Sequence, residues 1–181
     1  MIHPVLQKPD KILRQKAEEV PTEEIKSEKI QDIIQDMSDT LRSIDIGIGL
    51  AAPQIGHPLR IFIISEEALL VKRDKKNPPA GGDREEYKKH FVFINPKIIR
   101  TSEENELVPE GCLSVDSIFG QIKRAKKIVV EALNKDGKKF RRSASGLFAQ
   151  ALQHEIDHLN GILFIDTAIN LKKTKEEKYN K

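Results

Sequence analysis

Two histidines four residues apart, His154 and His158, constrain the fold of this chain more than any other feature of its sequence. They lie in residues 146–160, whose apolar pattern predicts an α-helix. Ser145 is a suitable N-cap, and Asn160-Gly161 is a typical end of a helix. Residues i and i+4 share one helix face, so both imidazoles point to the same side.

That face is predicted to point inwards, because Leu147 and Ala151 also lie on it. Both imidazoles can then bind one metal ion, and Glu155 can reach a water molecule there without binding the ion itself. The alternative is a surface helix with two solvated histidines. We favour the metal site, because the His-Glu-x-x-His pattern is rare by chance and its helix is predicted to face the core.

A catalytic metal site needs a third protein ligand, and two sources remain open. No histidine follows His158, and the only later glutamates, Glu176 and Glu177, lie in a lysine-rich tail. The single cysteine, Cys112, lies upstream, and one thiolate with two imidazoles is a known catalytic ligand set. A lone cysteine is more often an inert buried thiol. The incomplete ligand set makes Cys112 the preferred third ligand.

The composition indicates one folded domain and argues against nucleic acids and membranes as partners. The chain has 181 residues, of which 38% are hydrophobic and 33% charged, with a net charge of +3. Basic and acidic residues alternate, which predicts a solvated surface without a specific nucleic-acid site. One cysteine excludes a disulfide within the chain, and no apolar run is long enough to span a membrane. We expect a cytoplasmic protein.

The element order predicts an α+β fold with mostly antiparallel sheets around the helix that carries the two histidines. Apolar periodicity predicts a first helix over residues 27–44, capped by Ser27. Strands are predicted over 59–65, 91–100, 127–133 and 138–142, with a hairpin turn at Asp136-Gly137. The charged stretch 66–90 reads as an exposed loop. We assign residues 1–170 to one catalytic domain and 171–181 to a short basic tail.

Three segments together resemble one family. Residues 47–54 (GIGLAAPQ), 110–114 (EGCLS) and 153–158 (QHEIDH) are similar, in this order, to the signature motifs of peptide deformylase. The resemblance implies a metal-dependent hydrolase that removes the N-formyl group from the initiator methionine of new polypeptides and releases formate. It also implies one divalent ion, typically Fe2+, replaceable by Zn2+, Ni2+ or Co2+.

The resemblance assigns roles to residues of this chain. Cys112, His154 and His158 would bind the ion, and Glu155 would carry the proton. Two hydrogen-bond donors, the side chain of Gln54 and the backbone N–H of Leu113, would stabilise the oxyanion. The expected substrate-binding residues are Ile48, Gly49, Gly111, Arg124 and Leu147.

The resemblance implies specific roles for four of these residues. Gly49 would hydrogen-bond the peptide through its backbone. Ile48 and Leu147 are candidates for the pocket of the methionine side chain. Arg124 resembles a family arginine near the downstream residues of the peptide, although a plain surface charge is the alternative.

The sequence departs from the family pattern at two positions near the expected pocket. Asp116 stands where a proline is common, and Gln150 where some members have an apolar residue. These differences bear on substrate preference. The expected partners are N-formylmethionyl peptides and nascent chains, with no membrane. The long final helix of some bacterial members is missing or reduced, so only the basic tail suggests a transient ribosome contact.

Two rival functions stay open from the sequence. A zinc metallopeptidase would use Glu176 or Glu177 as the third ligand in place of Cys112. A non-catalytic relative would bind formylated peptides without turnover, although Glu155, Gln54 and all three candidate ligands are present. The other histidines, His3, His57 and His90, show no functional pattern.

Overall fold

The structure, a computed structural model, describes residues 1–45, 47–70 and 89–174. Most of the charged stretch predicted as an exposed loop (66–90) therefore lies outside the described residues. Glu176 and Glu177, the alternative metal ligands, also lie outside them. Within the described residues, no helix has the length and apolar character needed to cross a membrane.

The first helix, α1 (Glu28–Arg42), lies where the apolar periodicity predicts it. Ser27 is its N-cap, and the Ser27 side-chain oxygen accepts a hydrogen bond from the Ile30 N–H at 3.4 Å. The apolar stripe is buried at Ile30, Ile33, Ile34, Met37 and Leu41. Full burial of such side chains stabilises the fold by about 1.5–3 kcal/mol each. Packing of this stripe therefore holds α1 in place.

Within the described residues, eight strands form two antiparallel sheets. Their bounds are β1 Gly49–Ala51, β2 Ile61–Ser65, β3 His90–Thr101, β4 Asn105–Cys112, β5 Val115–Ala125, β6 Lys127–Leu133, β7 Lys139–Ser145 and β8 Ile169–Lys173. The first sheet has the order β1-β2-β3-β6-β7 and the second the order β4-β5-β8. The predicted strands correspond to β2, β3, β6 and β7. Gly137 has a positive φ of 75° in the predicted hairpin turn.

Strand β2 is buried on both faces and organises the core. Phe62 and Ile64 pack in one cluster with the last helix, whereas Ile61 and Ile63 pack in another with α1. Because alternate side chains of a strand point to opposite faces, the first sheet lies between two helices. A short helix, α2 (Glu67–Leu70), follows β2.

None of the three strands of the second sheet was predicted from the sequence. The sequence analysis did not identify the long hairpin β4–β5, which carries Cys112 at the end of β4. Strand β8 pairs with β5, with Lys172 opposite Phe119 and Lys173 opposite Ile118. The boundary predicted between residues 170 and 171 therefore falls inside a strand. Residues up to Lys173 belong to the folded unit because of this pairing.

Helix α3 (Gly146–Leu159) is the central helix that the sequence predicts, and it contacts strands of both sheets. Ser145 occupies the N-cap position, but its side chain makes no capping hydrogen bond. Ser145 is therefore the N-cap residue, as predicted, and it is also the last residue of β7, paired with Lys127. The helix ends at Leu159, and Gly161 follows with a positive φ of 73°.

Candidate active site

A cavity of about 820 Å3 opens beside α3. Four parts of the chain form its walls: residues 3–7, the segment 47–54, the β4–β5 hairpin and the inward face of α3. The two sheets and the central helix therefore meet at one cleft. The three motifs identified in the sequence all contribute to it.

Cys112, His154 and His158 come together beside this cleft, with Cys112 and His154 in its wall and His158 buried behind them. One donor atom from each lies within 4.8 Å of the others. The Cys112 Sγ is 3.1 Å from the His158 Nε2, and the two imidazole rings stand nearly perpendicular, at 84°. Burial lowers the pKa of His158 well below its usual value, which favours the neutral imidazole that binds metals. The donor set fits a borderline divalent cation.

Glu110 fixes the orientation of His154. The His154 Nδ1 lies 2.7 Å from the Glu110 Oε1, so the Nδ1–H donates to the carboxylate and Nε2 is left as the ligand atom. Burial alone would raise the pKa of Glu110, but hydrogen bonds from His154 and Arg124 outweigh it and lower the pKa to about 2. Glu110 is therefore a carboxylate, as this contact requires. A histidine paired with a carboxylate is a further feature of metal sites.

Arg124 lies elsewhere than the sequence analysis expected. Its guanidinium is buried, donates to both Glu110 oxygens at 2.7 and 3.1 Å, and donates to Asp157 at 2.6 Å. It does not line the cavity. The expectation of a substrate contact is corrected accordingly, because two carboxylates occupy the donors of Arg124. Arg124 instead joins β4, through Glu110, to α3, through Asp157.

Glu155 lies beside the candidate metal ligands and is 3% exposed. This burial raises the pKa of its carboxyl to about 7, against the lowering influence of His154. Two buried side-chain polar atoms among the described residues have no hydrogen-bond partner, Glu155 Oε2 and His158 Nδ1. Glu155 lines the cavity, so a molecule bound there can reach its carboxyl group.

Gln54 and Leu113 line the same cavity, although they lie in two different segments of the chain. The Gln54 Oε1 accepts a hydrogen bond from the Ala51 N–H at 2.8 Å, which fixes the direction of the side-chain amide. Its Nε2 then points to Ser114 Oγ, at 3.1 Å, and to Cys112 Sγ, at 3.9 Å. The donor group of Gln54 is therefore held next to the candidate ligands.

The other predicted substrate-binding residues line the cavity as well: Ile48, Gly49, Gly111 and Leu147. The two positions that depart from the family pattern, Asp116 and Gln150, are also in its wall.

Sequence reasoning missed the residues that support the site. Glu110 precedes the cysteine by two positions and Asp157 precedes His158. Both were visible as acidic residues inside the motifs, but nothing in the sequence indicated their pairing with Arg124. The N-terminal wall, with His3 and Gln7, carried no recognisable signal.

Comparisons with known proteins agree on one family. Residues 2–174 match the family model described as polypeptide deformylase. Peptide deformylase of Rhizobium meliloti is 40% identical over 172 residues, which cover 95% of this chain and 88% of that protein. Peptide deformylase 2 of Clostridium acetobutylicum is 38% identical, covering 87% of this chain and 89% of that protein.

Solved structures share the fold. A peptide deformylase from Legionella pneumophila has a TM-score of 0.77 and 38% identity, covering 94% of this chain and 88% of that chain. A class I type b peptide deformylase from Acinetobacter baumannii, solved with Met-Ala-Ser bound, has a TM-score of 0.77 and 31% identity. That comparison covers 92% of this chain and 98% of the other.

Proposed function

This chain belongs to the peptide deformylase family and is an enzyme of that activity, and from this premise we propose that Cys112, His154 and His158 hold its metal ion while Glu155 moves the proton. The reaction removes the N-formyl group from the initiator methionine of a new polypeptide and releases formate. The observation that carries the assignment is the convergence of three donor atoms within 4.8 Å beside a buried glutamate in a cavity.

When bound, the divalent ion supplies Lewis-acid activation of water and of the formyl oxygen. Glu155 Oε2, which has no hydrogen-bond partner within the described part of the chain, accepts a proton from the attacking water. The water oxygen adds to the formyl carbon. When the carbon–nitrogen bond breaks, Glu155 returns the proton to the leaving amine, and the products are formate and a free N-terminus. A pKa of about 7 suits a group that must both accept and donate near neutral pH.

Gln54 and Leu113 would stabilise the negative charge that develops on the formyl oxygen. The Gln54 Nε2–H and the Leu113 backbone N–H are the two donors, and the Ala51 N–H holds the Gln54 amide in the orientation that presents its Nε2. Removing one such donor typically costs about 2.7–4 kcal/mol in the transition state. This electrostatic contribution comes entirely from groups of the chain.

The peptide would bind in an extended conformation between two strand edges. β1 ends the first sheet and β4 ends the second, and Gly49 and Gly111 on these strands line the cavity. Backbone hydrogen bonds to a peptide at such edges are the usual mode of strand addition. Ile48 and Leu147 would contact the methionine side chain. The Acinetobacter baumannii relative solved with Met-Ala-Ser supports a methionine-first peptide as the occupant.

The ligand set argues against the peptidase alternative. A third donor is already supplied by Cys112, so the site does not need Glu176 or Glu177. Cys112→Ser should therefore reduce the metal content, whereas Glu176→Gln and Glu177→Gln should leave it unchanged. The reverse pattern would favour the peptidase. We propose Fe2+ as the native ion, as in the family, with Zn2+, Ni2+ or Co2+ as substitutes.

We further propose that the enzyme acts in the cytoplasm on nascent chains. The single cysteine supports a reducing compartment. The basic tail supports a transient ribosome contact. The test deletes residues 175–181. These residues follow β8, so the deletion should leave the pairing of β8 with β5 intact. Co-sedimentation with ribosomes that is unchanged by this deletion would contradict a contact through the tail.

The experiment for the reaction measures formate release from formyl-Met-Ala-Ser by protein purified without air. Wild type is compared with Glu155→Gln at equal metal content. The proposal predicts release by wild type and a loss of about 10²–10⁴-fold in the variant. Equal rates would remove Glu155 from the reaction. A folded, metal-loaded wild type that releases no formate would favour a relative that only binds formylated peptides.

A further inference from the structure

A short N-terminal segment, Leu6–Lys8, connects the two parts of the chain that carry the proposed oxyanion donors. The Leu6 N–H donates to the Gln54 carbonyl at 2.8 Å, and the Lys8 N–H donates to the Ser114 carbonyl at 2.9 Å. One end of the segment is therefore bonded to Gln54, whose side chain is the first proposed donor. The other end is bonded to Ser114, which follows Leu113, the second proposed donor.

Between these two bonds, the Gln7 side chain contacts Leu113 itself. The Gln7 Nε2 donates to the Leu113 carbonyl at 2.8 Å and to the Val5 carbonyl at 3.2 Å. Gln7 is exposed and lines the active-site cavity, so its side chain contributes little to the core. The contact between Gln7 and Leu113 is therefore a polar contact at the surface and not part of the packing of the core.

Both donors lie in short turns, which need external contacts to be held in place. Gln54 belongs to a single 3-10 turn, Ala52–Ile55. Leu113 belongs to the two-residue connection between Cys112 and Val115, which pair across the β4–β5 hairpin. Oxyanion donors stabilise charge only when they are held in position before the reaction, because reorientation during the reaction costs energy.

We propose that Gln7 is a positioning residue for the oxyanion site: it fixes the Leu113 turn relative to Gln54, and the backbone of Leu6–Lys8 sets the spacing between the two donors. This inference rests on the proposed roles of Gln54 and Leu113. It assigns a function in catalysis to a segment outside the three motifs. Gln7 acts through Leu113 and does not touch the reacting atoms.

The test uses two substitutions at Gln7 and one matched control. Gln7→Met keeps the length of the side chain and removes the donor. Gln7→Glu keeps the shape of the side chain but places a carboxylate beside the Leu113 carbonyl oxygen. The two negatively polarised groups repel each other. Gln35→Met is the control, because Gln35 is an exposed glutamine whose amide donates within α1, to Asp39 at 2.8 Å. All proteins are compared as metal-loaded full chains.

The inference predicts that kcat for formyl-Met-Ala-Ser falls about three- to tenfold in Gln7→Met, in line with the loss of one hydrogen bond. The fall should be larger in Gln7→Glu and absent in Gln35→Met. The KM, the inhibition constant of the product Met-Ala-Ser, the metal content and the melting temperature should stay unchanged. Met-Ala-Ser lacks the formyl oxygen, so its binding does not depend on the oxyanion donors.

Two results would overturn the inference. One is an unchanged kcat in both Gln7 variants of an active enzyme. The other is a fall in kcat accompanied by equal losses of metal and of Met-Ala-Ser affinity, which would indicate a purely structural role. A wild type that releases no formate would instead remove the proposed function, and this inference with it.

Discussion

The carboxyl group of Glu155 lies directly against the backbone of Gly49. A Cβ atom built at Gly49 would be 2.4 Å from the Glu155 Oε1 and 3.0 Å from its Cδ. The glycine therefore leaves the space that the glutamate occupies, and its backbone also faces the cavity where the peptide is proposed to bind. In the proposed mechanism, the absence of a side chain at Gly49 serves two purposes: it leaves room for the peptide backbone and for the carboxyl group of Glu155.

Gly49→Ala should displace Glu155 and reduce kcat by about 10²-fold, because a shift of about 1 Å in a catalytic group has effects of that size. The metal content should not change, since the three atoms nearest to the added Cβ all belong to Glu155 and none to a proposed metal ligand. The measurement is the kinetics of formate release with metal analysis of the same samples.

Gly120→Ala is the matched control for this change. A Cβ at Gly120 would also be crowded, at 2.8 Å from the Leu171 Cδ2, but its three nearest atoms belong to Leu171, Ala168 and Ile169 and not to Glu155. It should lower stability while kcat stays close to that of wild type. A similar fall in kcat in both variants would mean that crowding in general, and not the displacement of Glu155, reduces activity.

Arg124→Met should destabilise the fold by about 3–5 kcal/mol, the usual cost of removing one partner of a buried ion pair. The variant leaves Glu110 and Asp157 without their shared guanidinium. Because Glu110 orients His154, metal affinity should also fall. Chemical denaturation and metal titration test this prediction. The control is Lys123→Met, at an exposed neighbouring position, whose free energy of unfolding should stay within about 0.5 kcal/mol of wild type. If Arg124→Met instead raised the KM without changing the stability, Arg124 would be a substrate-binding residue after all.

The ion pair between Arg14 and Asp166 should give a stability contribution that depends on pH. Arg14 donates to both Asp166 oxygens, at 2.5 and 3.0 Å, and this hydrogen bonding lowers the pKa of Asp166 despite partial desolvation. A lowered carboxyl pKa stabilises the fold above the unfolded value of about 4, and the effect is lost as the pH falls through the folded value.

Asp166→Asn should therefore lower the free energy of unfolding at pH 7 by about 0.2–1 kcal/mol, the range for exposed pairs. The difference from wild type should shrink towards acid pH. Denaturant titrations at several pH values test this. A difference that is constant with pH would mean that the amide changes packing and not charge.

An iron-loaded enzyme should lose activity in air faster than a nickel-loaded one. Cys112 is only partly buried and lines the cavity, and oxidation converts a thiolate into species that bind metals poorly. The activity of both forms is followed over time, together with the mass of the peptide that contains Cys112. Equal lifetimes, or inactivation of the iron form without oxidation of Cys112, would contradict this explanation.

The sequence predicts those elements that have a strong local pattern. The α1 stripe and the continuous apolar run of β2 follow from periodicity and burial, and α3 follows from its apolar face and its C-terminal Asn160-Gly161. The convergence of Cys112 with the two histidines could be anticipated because a catalytic metal needs a third ligand. In these cases local preference and tertiary packing favour the same structure.

The sequence analysis missed features that depend on long-range contacts. Strand β5 contains Gly120 and a buried arginine, Arg124, so its pattern does not resemble a strand until its partners on β4 and α3 are known. Ser145 is the N-cap of α3 as predicted, but its pairing with Lys127 at the end of β7 was not visible in the sequence. The N-terminal wall of the cavity is polar at Gln7 and joins segments about 50 and 100 residues away, which no local pattern reveals.

The most direct test of the central claim is the X-ray absorption spectrum of the Zn2+-loaded protein. The account predicts one sulfur at about 2.3 Å and two imidazole nitrogens at about 2.0–2.1 Å as the protein ligands. The sulfur signal should disappear in Cys112→Ser. A wild-type spectrum with bound zinc but no sulfur ligand would contradict the assignment of Cys112, His154 and His158 as the metal site.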